Sequence, residues 1–170
     1  MTTTSFQNHL DEIDRILLDE LQSDGRASSV DLARRVGLST SATHARIRRL
    51  EQEGYVERYV ALLSWQKTGF DMLCFVSVSL QMHQPEQVSG FMQAVQAMPE
   101  VLECYHLTGE FDYLLKVAIR NRKDLERFVL RRLTPIPGVA RIHTSLVLSA
   151  VKATTALPLG DGWQGDKVTR

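Results

Sequence analysis

The chain has 170 residues, enough for one domain or two small ones with a substantial core. Apolar residues make up 44% and charged residues 24%, ordinary globular values that argue against a disordered or fibrous chain. Acids and bases cancel to a net charge of zero, so no whole-molecule field draws the protein to nucleic acid, and any such binding must be local. The opening MTTTSFQNHLDEIDR lacks the charged-then-apolar pattern of a secretory signal, and no apolar run reaches membrane-spanning length. A soluble cytoplasmic protein with no membrane partner is expected. Cys74 and Cys104 sit in strand-like apolar runs without metal or redox spacing and read as buried, reduced thiols.

Residues 1–9 are small and polar, a loose arm. The run LDEIDRILLDELQSDG places Ile13, Ile16, Leu17 and Leu21 at helical spacing, with Asp11 as N-cap, Asp14 in the first turn and Gly25 at the end. A second helix starts at Ser28 or Ser29, with Asp31 placed to complete a capping box, and presents Val30, Ala33 and Val36. Gly37 supplies a permissive turn, Leu38 anchors it, and Ser39 caps a third helix that runs to about Glu53. Two short helices joined by a Gly-containing turn, behind a supporting helix, make a helix-turn-helix.

Residues 32–50 carry five arginines (Arg34, Arg35, Arg46, Arg48, Arg49) and no acid, although the flanking chain is acidic. Turned at 100° per residue, the third helix collects Thr43, Ile47 and Leu50 on one face and Ser41, Ala45, Arg48 and Gln52 on the other, with His44 and Arg49 flanking. Small residues near its start let the backbone approach base edges, and Arg48 reaches a guanine or a phosphate. Arg34, Arg35 and Arg46 are placed for phosphates. The DNA-binding candidates are thus Arg34, Arg35, Ser39, Ser41, His44, Ala45, Arg46, Arg48 and Arg49.

Residues 55–63 (YVERYVALL) read as a strand leaving the DNA module, and residues 64–69 as a turn or single helical turn at the boundary. Then MLCFVSVSLQM is a strand. Pro85 opens a helix carrying Val88, Phe91, Val95 and Met98, and Pro99 closes it. VLECYHLTG and FDYLLKVAI are strands joined through Gly109-Glu110. RKDLERFVLRRL is a helix with Leu125, Phe128, Val129 and Leu133 inward. Pro137-Gly138 turns into a last long strand, VARIHTSLVLSAVKA. The order βαββαβ gives an antiparallel sheet with both helices on one face, the ferredoxin-like arrangement of an α+β protein. Its other face has apolar side chains and nothing in the sequence to cover it, so self-association is expected. The domains are a helix-turn-helix over 10–60, a linker over 61–70, the ferredoxin-like module over 71–156 and a flexible tail over 157–170.

In order and at matching spacing, LDEIDRILLDELQSDGRAS, LARRVGLS, RIRRLEQEGYV, PEVLECYHLTGEFDYLLKV and PGVARIHTSLVL resemble the leucine-responsive/asparagine-responsive (Lrp/AsnC) feast-famine regulators over about residues 10–158. The resemblance implies a winged DNA-binding module and a C-terminal module that dimerises through its sheet. It also implies further assembly to tetramers or octamers, with an amino-acid effector bound between dimers. The family's Ser-Pro-Thr/Ser-Pro-Cys at the start of the recognition helix is replaced by Ser39-Thr40-Ser41-Ala42-Thr43, which affects the operator read rather than the role of the helix. The stretch Thr108–Tyr113 matches the effector loop, so Gly109, Asp112 and Tyr113 take that assignment by resemblance. A glycine lets backbone N–H groups approach a carboxylate, and Asp112 can pair with an α-ammonium. Thr108 adds a hydroxyl, and Ser145 and Leu146 are wall candidates.

An enzyme would need a convergent constellation. His9, His44, His83, His106 and His143 are scattered, with no HExxH, CxxC or nucleophile elbow, and Glu103, Glu110 and Asp112 have no evident water or metal partner. No catalytic residue, metal ligand or cofactor is assigned. The expected partners are double-stranded DNA, an amino-acid effector and further copies of the chain. The alternative is a metabolite-sensing oligomer with weak or no specific DNA binding, against which the arginine cluster argues.

Overall fold

The computed structural model describes residues 10–82 and 84–159; the arm over 1–9, with His9, as well as His83 and the tail from 160, lie outside them. Two compact units divide the chain. The first takes Met1–Ala61 together with Lys152–Arg170, and the second takes Leu62–Val151.

In the first unit, α1 (Glu12–Ser23) begins in a full capping box: Asp14 N–H donates to Asp11 Oδ1 at 2.8 Å and Asp11 N–H to Asp14 Oδ2 at 3.3 Å. Helix α2 (Ser29–Val36) is capped by Ser28, whose hydroxyl accepts from Asp31 N–H and donates to the Asp31 carboxylate. Gly37 ends α2 at φ 69°, a left-handed angle that favours glycine. Helix α3 (Thr40–Gln52) starts at Ser39, whose Oγ accepts from Ala42 N–H at 3.2 Å. Leu17, Leu18, Leu32, Ile47 and Leu50 form the core. Sequence periodicity differs at four positions: Ile16 and Val30 are exposed, Leu18 takes an inward position, and Leu38 is only half-buried.

Residues 55–63 do not form the expected strand. Their aromatic and β-branched residues have no second strand to pair with, since among the described residues the first unit contains none. Tyr59 is used as an anchor instead. Its ring packs beside Gly25, and its hydroxyl donates to Glu51 Oε1 at 2.9 Å. Burial, and then the Glu51 carboxylate, push the phenol up to about 12 from 10.0. The folded state therefore holds its proton more tightly than the unfolded chain. That contribution is complete below about pH 10 and is lost as pH rises towards 12. Urea midpoints measured across this window should fall, and Tyr59→Phe should shrink the fall.

The last strand also ends early. The chain from Lys152 returns to the first unit, where Leu157 N–H donates to Gln22 Oε1 at 2.6 Å, Gln22 Nε2 donates to Leu157 O at 3.1 Å, and Leu159 packs on the core. A tail loose from residue 157 is thus not what Leu157 and Leu159 show.

The second unit opens with a turn of 3-10 helix at Gln66–Thr68, as the boundary composition predicts. Strands β1 (Met72–Leu80), β2 (Val101–His106), β3 (Tyr113–Ile119) and β4 (Val139–Leu146) make one antiparallel sheet in the order β2-β3-β1-β4. Helix α4 (Pro85–Gln96) and helix α5 (Arg122–Phe128), the latter running into a π-turn over Val129–Leu133, supply the crossovers. Alternation sends Cys74, Val76, Val78, Tyr113, Leu115 and Val117 beneath Phe91, Val95, Phe128 and Leu133. The order is the ferredoxin-like one expected from the sequence. On the other face Phe75 and Tyr105 are exposed, and Lys116 pairs with Glu103 at 2.8 Å. Cys74 is buried, and its thiol is pushed up by burial. Cys104 is exposed, contrary to expectation, because β2 is the outer strand of the sheet.

Candidate functional site

The recognition helix separates its faces as the periodicity requires. Thr43, Ile47 and Leu50 are buried, while Ser41, His44, Ala45 and Arg48 are exposed along the opposite side. Ser39 is exposed as well, and its hydroxyl, already capping Ala42, lies 3.2 Å from that of Ser41. Arg48 has no carboxylate partner among the described residues.

The other four arginines fall into two groups that the sequence did not separate. Arg34 and Arg35, at the end of α2, are solvent-facing, Arg34 paired with Asp31 at 3.3 Å and Arg35 with Glu20. The Glu20 hydrogen bond raises the Arg35 guanidinium above its ordinary value. Such exposed pairs are worth little and yield readily to a phosphate. Arg46 and Arg49 are different. Both reach across to Asp14, whose side chain is 0% exposed, and Arg46 bridges onward to Asp11 at 2.6 Å. Their own side chains keep 29% and 43% of their exposure. The Asp14 N–H first, and then Arg46, hold the Asp11 carboxyl below its ordinary value, and the two aspartates raise Arg46. One buried carboxylate thus ties the start of α1 to two successive turns of α3. A sign of this was in the sequence. Asp14 shares the inward stripe of α1 with Leu17, Leu18 and Leu21, and an acid there needs a cation from the facing helix.

In the second unit, the β2–β3 connection is closed by Leu107 N–H donating to Asp112 O at 2.8 Å, and Asp112 N–H donates to Val78 O at 3.0 Å. The Asp112 carboxylate accepts from Leu80 N–H at 2.7 Å where β1 breaks register. It therefore serves the backbone before any ligand. Tyr113, at 3% exposure, packs between a tilted Phe91 ring at 4.6 Å and a stacked His106 ring at 4.9 Å and belongs to the core. Gly109 sits at φ 131°, and Thr108, Gly109 and Glu110 are exposed. Neither Gly109 nor Glu110 donates a backbone hydrogen bond among the described residues.

Ser145 and Leu146 are exposed but do not join the loop. Arg141 is the β4 residue beside it, paired in register with Ser79, and Ser145 lies four residues further along, about 13 Å at strand rise. Ser145 and Leu146 also face opposite sides of the sheet, opposite Phe75 and Cys74. In their place the fold brings Arg141 against Glu110, with the guanidinium 4.6 Å over the Phe111 ring and His143 6.2 Å beyond. Only strand register reveals this cluster, and register cannot be read from one sequence.

Residues 10–57 match the winged helix-turn-helix DNA-binding family model, and residues 73–157 match the Lrp/AsnC ligand binding domain. The leucine-responsive regulatory proteins of Escherichia coli and Klebsiella pneumoniae are 39% identical over 148 residues, 87% of this chain and 90% of theirs. A transcriptional regulator of Neisseria meningitidis, solved as a complex with L-Met, superposes with a TM-score of 0.85 at 39% identity, covering 88% of this chain and 97% of that one. An AsnC family regulator from Agrobacterium tumefaciens gives 0.83 at 35% identity, over 88% and 97% of the two chains.

Proposed function

The chain belongs to the Lrp/AsnC family of DNA-binding transcriptional regulators, and from that premise we propose that it reads operator DNA through α3 and tunes that binding to a free amino acid held at the 107–112 loop. The observation that carries the reading is the division of α3 into a buried stripe and an exposed one bearing Ser41, His44, Ala45 and an unpaired Arg48. Arg48 reaches base edges or a phosphate, Arg34 and Arg35 contact phosphates, and Ser39 sits where the helix N-terminus meets the backbone. Arg46 and Arg49 orient the helix. The protein acts by binding rather than by catalysis.

Two copies of α3 in a homodimer would lie about 34 Å apart and read a pseudo-palindromic site. Pairing through the sheet is supported by the exposed Phe75 and Tyr105 on its uncovered face. Assembly of dimers into tetramers or octamers then gives the loop a second wall. The Gly109 and Glu110 N–H groups take the carboxylate, Thr108 adds a hydroxyl, and the Glu110 carboxylate, exchanging partners with Arg141, takes the ammonium. The L-Met complex of the Neisseria relative supports an amino acid as the class. An amino acid that favours one assembly shifts promoter occupancy by their coupling, typically about 1–3 kcal/mol.

Fluorescence anisotropy with the DNA upstream of the gene tests this. We expect binding well above that to a scrambled fragment, and a change of about 5–150-fold on adding millimolar L-Met or L-Leu. Equal affinity for both fragments would refute the DNA reading. A thermal-shift screen in which no proteinogenic amino acid stabilises the protein would refute the effector.

A further inference from the structure

The second unit contains a cavity of about 520 Å³ at the end of the sheet away from the 107–112 loop, where β3 ends and β2 begins. That volume lies in the usual range for small-molecule sites. Phe70, Ile119 and Phe128 give it apolar walls, and three arginines stand around them. Two are already neutralised. Arg132 holds both oxygens of Glu100 at 2.9 Å, and Arg127 pairs with Asp124. Arg120 has no carboxylate partner among the described residues, and its guanidinium stands 5.4 Å over the Phe70 ring. Three arginines against Glu100 and Asp124 leave one uncompensated positive charge.

A second observation marks the same place. The π-turn Val129–Leu133 carries Arg132 to Glu100, and π-turns are rare and concentrate at functional sites. Apolar walls with a single free guanidinium suit one kind of molecule, an apolar body with one negative charge. A phosphate dianion would exceed the charge available, and a neutral ligand would forgo the ion pair that Arg120 can make.

We propose that this cavity binds a small apolar monocarboxylate, with Arg120 receiving the carboxylate and the apolar body lying against Phe70 and the exposed edges of Ile119 and Phe128. The site is separate from the amino-acid loop, and its ligand needs no ammonium group. Isothermal titration of the full chain with phenylacetate, and with the neutral isostere phenylacetamide, is the test. Phenylacetate should bind saturably, and the amide about tenfold or more weakly. Arg120→Gln, at an exposed position, should lose as much, and amide resonances of Ala118, Ile119 and Arg120 should shift. Equal binding of the two probes to the wild type overturns the proposal even if the variant misfolds. So do unchanged affinity in Arg120→Gln, tighter binding of inorganic phosphate, absence of saturable binding, or shifts confined to 107–112. A methionine response retained in Arg120→Gln separates failure here from failure at the loop.

Discussion

Replacing Arg46 and Arg49 together with alanine should destabilise the first unit by about 3–5 kcal/mol, because Asp14 would remain as a buried, uncompensated carboxylate. Both arginines keep partial contact with water, so relaxation through their vacated space places the expected value at the lower end. The logic is that of removing one side of a buried pair, and it makes a second, less intuitive prediction. Removing the charge from all three positions, with Asp14→Leu added to the double variant, should recover most of the loss, since no charge is then stranded. Arg48→Ala, at an exposed position without a carboxylate partner among the described residues, should change stability by no more than about 0.5 kcal/mol. Hydrogen exchange of α1 amides through a urea series reads the first unit apart from the second. A double variant as stable as wild type would show that water already screens Asp14. The acid limb points the same way. The Asp11 carboxyl is held below its ordinary value in the fold, so its contribution is present above the normal carboxylate range and is lost as pH falls through the depressed value.

That network shows what one sequence can and cannot disclose. The caps at Asp11, Ser28 and Ser39 were legible because capping is local, decided within three residues of the helix start. The sheet order was legible because the succession of elements restricts the connections. The destination of Arg46 and Arg49 was not, since a guanidinium's partner depends on a helix 32 to 35 residues away. Residues 55–63 have strand composition without a ladder partner, and β4 stops at Leu146, opposite Cys74, with Val147 N–H making one more bond to Leu73 O at 2.9 Å as the partner strand runs out towards Met72. Both errors came from reading a strand as a property of its own residues when it belongs to a pair. The loop shows the same limit. Gly109 and Thr108 are exposed in the β2–β3 connection, whereas the side chains that meet beside them, Arg141 and Phe111, come together through a register that only the fold fixes.

Arg48→Ala should weaken operator binding by about 1–3 kcal/mol per protomer, and a symmetric dimer carries the change twice. Two contacts of different kind would produce that loss, and salt separates them. If Arg48 sits on a phosphate, each lost contact lowers the slope of log K against log salt by about 0.9, roughly 1.8 for the dimer, and Arg48→Lys restores most of it. If Arg48 reads a guanine edge, the slope hardly moves, the loss is confined to the specific site, and lysine fails to supply the bidentate pair. The start of α3 favours the second outcome. With Ser39, Ser41 and Ala45 exposed and small, little stands between the helix backbone and the groove floor, and Arg48 is the long donor on that same face. Anisotropy titrations at several salt concentrations, on specific and scrambled fragments, decide between them. Unchanged affinity on both fragments would mean that this face of α3 does not enter the groove, and the exposed arginines Arg34 and Arg35 would then have to carry the binding.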